Sequence, residues 1–315
     1  MAGRPAREEG ADRQRPEAGP LDPRPRRRGR RHGDYEERRE GRHEGSAPVS
    51  RQHLQSSLTG SPMTSAEAGR GLDYRPMAMM PDVVVLKIGG QSILDRGRAA
   101  VHPILDELRA VKDKKKLLVC TGGGTRARHI YAMASELSMP TGVLAALGGY
   151  VPRQNARMVQ MLLANDGGIY IMHDDFEKLP LYFRLGCIPV MTGMPPFGYW
   201  EKPSHESRIP AHRTDAGVFL SAEVLGARRA LFIKDEDGLY DDDPKKNPSA
   251  KLIPRIGAKE LLKRDLPDLA VERVVIEYLA RARFCKELQI VNGLVPGNVQ
   301  RAILGEDVGS IIHAD

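Results

Sequence analysis

Cysteine is scarce in this 315-residue chain: there are three, Cys120, Cys187 and Cys285. They are odd in number and far apart, with no C-x-x-C pair. That excludes a disulfide scaffold and a zinc-finger framework, and it fits a reducing, cytoplasmic compartment. No apolar run approaches the roughly 18–20 residues needed to cross a bilayer, and the N-terminus has no apolar core of a secretory signal. Lysine is absent from the first 80 residues, which hold 16 Arg and 12 acidic residues, net +4; the other 235 hold 32 basic and 29 acidic residues, net +3. The sequence pI near 9.3 is therefore largely an N-terminal effect. The remainder is close to neutral, which argues against a nucleic-acid partner.

Residues 1–80 are Arg, Pro, Gly, Glu and Ser with few aliphatic side chains, too little apolar area to offset chain entropy, so this stretch is expected to be a disordered tail. Its basic run at 24–31 is followed closely by Glu36, Glu37, Glu40 and Glu44, as in a solvated segment. Met63, Met77, Met79 and Met80 stand just before the apolar part and offer alternative translation starts. Residues 81–315 are ample for one α/β domain. Val83–Ile88 is a β-branched run expected as a buried parallel strand. Further strands are expected at 117–120, 169–172, 188–191, 230–233, 288–291 and 310–312. Helical spacing appears at 101–111, 130–137, 158–164, 215–225, 271–284 and 299–304. Strand–helix alternation implies a mostly parallel sheet covered on both faces.

In such a sheet ligands bind at the carboxyl ends of the strands, and three strand-end loops are unusual. Lys87-Ile88-Gly89-Gly90 sets an ammonium beside glycine amides that an anion can approach, although Gly-Gly also serves a plain tight turn. Its spacing is not that of a P-loop. Thr121-Gly122-Gly123-Gly124 opens a helix whose first turns carry Arg126, Arg128 and His129. Cations there oppose the helix dipole unless an anion arrives; the alternative is an exposed basic face. The third loop, Lys234-Asp235-Glu236-Asp237-Gly238-Leu239-Tyr240, continues into Asp243-Pro244-Lys245. It reads as an acidic turn or as a ring and a lysine for a nucleotide; it lacks EF-hand spacing.

With these loops in order, the chain resembles the amino-acid kinase superfamily, in its uridylate kinase branch, from about residue 82 to the end. Thr214-Asp215 opening a helix and the closing Pro296-Gly297-Asn298 and Gly309-Ser310 complete the pattern. Within that branch it is similar to the molybdenum storage proteins, more to their alpha than their beta type. Shared stretches include KIGGQSILDRGRAAV from Lys87, TGGGTRARHIY from Thr121, GMPPFGYW from Gly193 and RTDAG from Arg213. The resemblance implies a three-layer αβα sandwich with ATP across the strand ends. Lys87 is then expected on the terminal phosphates, with Gly89 and Gly90 lining them through N–H groups. Tyr240 and Pro244 are expected to flank the adenine, and Lys234, Asp237, Gly238 and Lys245 to complete the site. Asp215 is expected to organise lysine and metal, Gly122, Gly123 and Gly124 to hold the acceptor, and Glu206 to approach Mg.

The resemblance also implies a hexamer, a trimer of dimers, made with itself or with a beta-like subunit, which uses ATP to load molybdate or tungstate as polyoxomolybdate. His129 and His173, with His205 and His212, are the candidates for the cluster, since imidazole protonates near neutral pH and binds metals; each is equally an ordinary surface or packing His. No His stands at Asn165-Asp166, where the alpha subunit carries a cluster ligand. A long insert between Gly193 and Thr214, containing Trp200 and several prolines, departs from ordinary uridylate kinases. The other function the resemblance implies is phosphoryl transfer from ATP to UMP.

Overall fold

The computed structural model describes residues 77–203, 209–266 and 268–315. Eight strands form one sheet in the order β3-β4-β2-β1-β5-β9-β10-β8. They are β1 (Val83–Ile88), β2 (Lys116–Thr121), β3 (Gly168–Tyr170), β4 (Ile188–Thr192), β5 (Arg229–Lys234), β8 (Arg255–Gly257), β9 (Glu287–Asn292) and β10 (Ser310–His313). Strands β3, β4, β2, β1, β5 and β9 run parallel, with Val85 beside Leu118 on one side and Ala230 on the other. Strand β10 is antiparallel to β9. A separate two-stranded ribbon pairs β6 (Leu239–Tyr240) with β7 (Leu252–Ile253).

Successive side chains of a strand point to opposite faces, and β1 divides accordingly. Val83 and Val85 join the core under α5 (Thr214–Leu225), α6 (Ala258–Arg264) and α7 (Arg273–Leu279), with Phe219 and Phe232 wholly buried there. Leu86 and Ile88 join the core under α1 (Arg98–Val111), α3 (Thr141–Leu162) and α8 (Asn298–Leu304). These two cores on either side of one sheet make the three-layer αβα sandwich expected from the sequence. Helix α4 (Leu179–Arg184) leads into β4, and α2 (Gly124–Glu136) packs through Ala127, Tyr131 and Ala134 on Leu144 and Val151 of α3.

The seven expected strands are all present, while β6, β7 and β8, two or three residues each, were not expected. The largest difference is α3: a helix is expected at 158–164, but it begins at Thr141 and runs through Gly148, Gly149 and Pro152. Such residues usually break helices. Here the Tyr131 ring lies where a Cβ on Gly148 would sit, and the Pro152 carbonyl accepts the Thr121 hydroxyl at 2.7 Å, so tertiary packing overrides the local preference. Helix α7 is also shorter than the expected 271–284, ending at Leu279. Among the described residues no helix is long and apolar enough to cross a membrane.

Candidate functional site

The carboxyl ends of β1, β2 and β5 open into a cavity of ≈ 1050 Å³ that runs from Tyr240 and Pro244 at one end to Arg128 and Tyr131 at the other. At its centre lies a buried three-charge cluster. The Lys87 ammonium, from the penultimate position of β1, is ion-paired with the Asp215 carboxylate at the first turn of α5. Lys234, the last residue of β5, reaches the same oxygen at 3.5 Å. Burial pushes the Asp215 carboxyl up, but Lys234 and Lys87 outweigh it and hold the group well below the usual carboxylate range. Burial drives the Lys234 ammonium below its ordinary value despite Asp215. Two cations share one directly paired carboxylate oxygen in a low-dielectric site, so each ammonium is only partly matched and can accept an incoming anion.

Glu272 completes this centre, and sequence reasoning missed it. Its carboxylate accepts the backbone N–H groups of Arg213 at 3.0 Å, Asp215 at 3.1 Å and Ala216 at 3.1 Å. It thereby satisfies donors that the first turn of a helix leaves open. Burial, then the charge of Asp215, raise its carboxyl above the ordinary value. Glu272 sits 57 residues from Asp215 in the chain, and no local motif announces a cap supplied from so far.

Glycine is required in two of the loops by their mutual approach. A Cβ on Gly90 would strike the Gly124 backbone, one on Gly122 would come within 2.6 Å of Gly90 N, and one on Gly124 (φ +72°) would meet the Asp95 carboxylate at 2.5 Å. Asp95 accepts the Thr125 N–H at 2.6 Å and so supplies the anion at the start of α2 that its cations call for. Arg126 turns to Gln154 and Asn155. Asn155, fully buried in α3, donates to the Gly122 carbonyl at 2.6 Å and fixes the loop. The Gly89 N–H is bonded to Ile233 O at 3.0 Å, and that of Gly122 to Ile88 O at 3.0 Å. Gly89 therefore lines the cavity without a free donor, contrary to the expectation that its N–H faces the anion. Gly123 and Gly124, opening α2, and Gly90 remain as the donors of this wall.

At the other end Tyr240, Gly238, Pro244 and Lys245 line the cavity. Gly238 admits Ser310, whose hydroxyl accepts Leu239 N–H at 2.8 Å. Lys245 bridges Asp235 at 3.0 Å and Glu236 at 2.7 Å, and Arg96 reaches Asp235 at 2.6 Å. Carboxylates dominate here, so an anionic group belongs at Lys87 and Lys234 and a neutral ring beside Tyr240. Asp237 is exposed, outside the lining, and accepts from Asn292 at 2.8 Å.

The histidines do not converge. His129 is exposed on α2 and His173 is half-buried beside Phe176, both outside the cavity lining. Burial lowers the His173 imidazole from its ordinary value. His212 is locked between Glu201 at 2.7 Å and the Tyr278 hydroxyl at 2.5 Å, tying the insert to α7. His205 and Glu206 lie outside the described residues. Among the described residues no group of three or more His, Cys, Asp or Glu side chains could hold a metal ion.

Comparison with known proteins agrees with this architecture. The amino acid kinase family profile matches residues 82–277. Molybdenum storage protein subunit beta of Azotobacter vinelandii is 47% identical over 261 residues, 83% of this chain and 95% of that protein; the alpha type is expected from the motif stretches, and the relative found is of the beta type. The uridylate kinase of Methanothermobacter thermautotrophicus is 30% identical over 230 residues, 71% of this chain and 96% of that one. The crystal structure of uridylate kinase from Archaeoglobus fulgidus superposes with a TM-score of 0.57 at 24% identity, over 73% of this chain and 99% of that one, a likeness of fold. By its sequence profile, its three-layer sandwich and its relatives, the chain belongs to the amino acid kinase family.

Proposed function

We propose that this chain is a subunit of an ATP-dependent molybdate or tungstate store, with ATP lying in the strand-end cavity and the oxyanion held as polyoxomolybdate in a hexameric cage. The observation that supports this most is the 47% identity to a molybdenum storage subunit across 95% of that protein's length. Lys87 and Lys234 take the terminal phosphates, Gly90, Gly123 and Gly124 line them, and Tyr240 and Pro244 flank the adenine beside Lys245. Asp215 stays ionised and holds both ammoniums in place. Catalysis at phosphoryl groups is mostly positioning and charge stabilisation, and this cluster supplies both. Asp215 is no general base, because Lys87, Lys234 and the Glu272 N–H occupy its oxygens.

Mg²⁺ fits this donor set as an ion carried by phosphates. It would keep several waters and need only one or two carboxylates; the family resemblance offers Asp215 and Glu206, of which Asp215 would have to release a lysine or the Glu272 N–H to serve, and the ion would neutralise phosphate charge. Molybdate is cargo. Because His129 and His173 stand apart within one chain, the cage has to be completed by symmetry, which brings equivalent residues together across subunits. Tyr150, Met158 and Met161 along α3 and Trp200, the last 89% exposed, are exposed apolar side chains available to such a contact, with a second copy or a beta-like partner.

Metal analysis after incubation with molybdate and MgATP tests the reading: many molybdenum atoms per chain are expected, and none retained overturns it. The second reading is a UMP kinase, favoured by the cavity's other end at Arg128 and Tyr131, which leaves room for an acceptor. A coupled assay with UMP and ATP separates the two.

A further inference from the structure

A second cavity, ≈ 910 Å³, lies at the opposite, amino-terminal ends of β1, β2 and β5. Its lining holds seven Lys or Arg residues and three carboxylates, a formal +4. By the same count the strand-end cavity, with six Lys or Arg and eight carboxylates, is −2, so of these two hollows among the described residues the more cationic is the one with no assigned role. The three carboxylates are already engaged: Asp82 by Lys116 at 2.6 Å, Asp113 by Lys112 at 3.6 Å, and Glu287 by Arg229 and by Arg255 at 3.2 Å. Lys114, Lys115, Arg184 and Arg228 have no carboxylate partner among the described residues.

Helix ends account for part of this charge. Three helices end on the cavity: α1 at its cap Lys112, α4 at Arg184 and α8 at its cap Gly305. Each C-terminus carries about half a negative charge. Together they cancel roughly 1.5 of the +4, leaving a surplus of more than two charges in a concavity floored by Phe183, Leu231 and Ile303.

We infer that this hollow is a binding site for a small anion bearing several phosphate groups, separate from the strand-end site. Strand β1 runs from one cavity to the other, six residues at about 3.3 Å each, so roughly 17 Å of packed sheet divides them and one nucleotide cannot bridge both. Four cations without partners match a multivalent anion, where a single phosphate would leave most of them unpaired. The apolar floor admits a nucleoside as well as an inorganic chain of phosphates, and the chemistry the two share is the run of phosphate groups.

The site contains its own reporter. Cys187 lines it and is half-buried, whereas Cys120 and Cys285 are buried. Alkylation of Cys187 by iodoacetamide, a neutral reagent, is followed by mass spectrometry of the full-length chain with inorganic tripolyphosphate or with ATP. Protection scales as one plus ligand over Kd, so labelling is expected to slow about tenfold at about ten times the Kd. It should slow equally in Lys87→Ala, where the strand-end site has lost its central cation, and protection should fade with added salt. Protection by tripolyphosphate identifies an inorganic ligand, and protection by ATP alone a nucleotide; either supports the site. The double variant Lys115→Gln, Arg228→Gln, which removes two positive charges, should lose protection while keeping its unprotected labelling rate within about twofold, the range in which small surface charge changes leave a fold intact. No protection by either anion, protection that disappears in Lys87→Ala, or protection unchanged in the double variant would each overturn the inference.

Discussion

Asp215 and Glu272 cap one another. Glu272 Oε1 accepts the Asp215 backbone N–H at 3.1 Å, and the Glu272 N–H donates to Asp215 Oδ2 at 3.3 Å. One Asp215 oxygen is left to the two lysines and the other to this reciprocal bond. The orientation of the central carboxylate is thus set by a residue that touches neither lysine. Glu272→Ala should leave three buried N–H groups without an acceptor and lower unfolding free energy by on the order of 2–4 kcal/mol, given about 1.5–3 kcal/mol per hydrogen bond to a charged group and partial rescue by water. Urea denaturation measures it; a loss below about 0.5 kcal/mol, the range of ordinary surface substitutions, would remove Glu272 from this role.

The charge cluster predicts a pH dependence with a definite sign. Asp215 has a folded-state value below its unfolded one, so its contribution to stability is complete above the unfolded carboxylate range. It is lost as pH falls through the depressed folded value. Asp215→Asn removes that contribution and takes from two buried ammoniums the one carboxylate they pair with directly, at a cost of up to about 3–5 kcal/mol near neutrality. The gap between wild type and variant should therefore narrow steadily below about pH 4, where an unperturbed Asp begins to protonate. Denaturation midpoints across the acid range check this; a gap that stays constant or widens contradicts the assignment.

Gly90 and Gly124 predict a steric outcome. A Cβ on Gly90 meets backbone, which cannot move aside as a flexible side chain would. Gly90→Ala should force the β1 and β2 loops apart, costing about 1–3 kcal/mol as other overpacked substitutions do, and should weaken binding at the strand ends. Gly297→Ala is the control: it has open space around its Cβ and only a strained φ of +85°. Equal binding by Gly90→Ala and wild type would show that the loops tolerate separation.

Much of this was legible in the sequence because β-branched runs and Lys-Gly-Gly or Thr-Gly-Gly-Gly endings are local signals. Lys87, Asp215, Lys234 and Tyr240 stand out from the loops they occupy and from family resemblance, and the structure gathers them around one cavity. What stayed hidden depends on distant partners. Glu272 and Asn155 act through backbone groups 57 and 33 residues away, and α3 survives its Gly-Gly and Pro because Tyr131 and Thr121 pack on them. The reading of the glycines also changed: close approach was expected of a ligand, and the other loop and Asp95 account for much of it. His129 and His173 were chosen for their chemistry alone, and no packing signal drew them to the cavity.

Lys87 gives the most direct test of the nucleotide site. Its ammonium sits at the last turn of β1, buried and paired with Asp215, so a terminal phosphate approaching it gains a charge-assisted hydrogen bond of about 1.5–3 kcal/mol. Lys87→Ala should therefore weaken MgATP binding by roughly 10- to 150-fold. Tyr240→Ala removes a ring and no charge, so it should weaken MgATP while leaving tripolyphosphate competition at the strand-end site unchanged. Calorimetry with each variant distinguishes the two ends of the cavity. Unaltered affinity in Lys87→Ala would exclude the phosphates from the strand ends, and equal losses for both ligands in Tyr240→Ala would exclude the ring from the adenine.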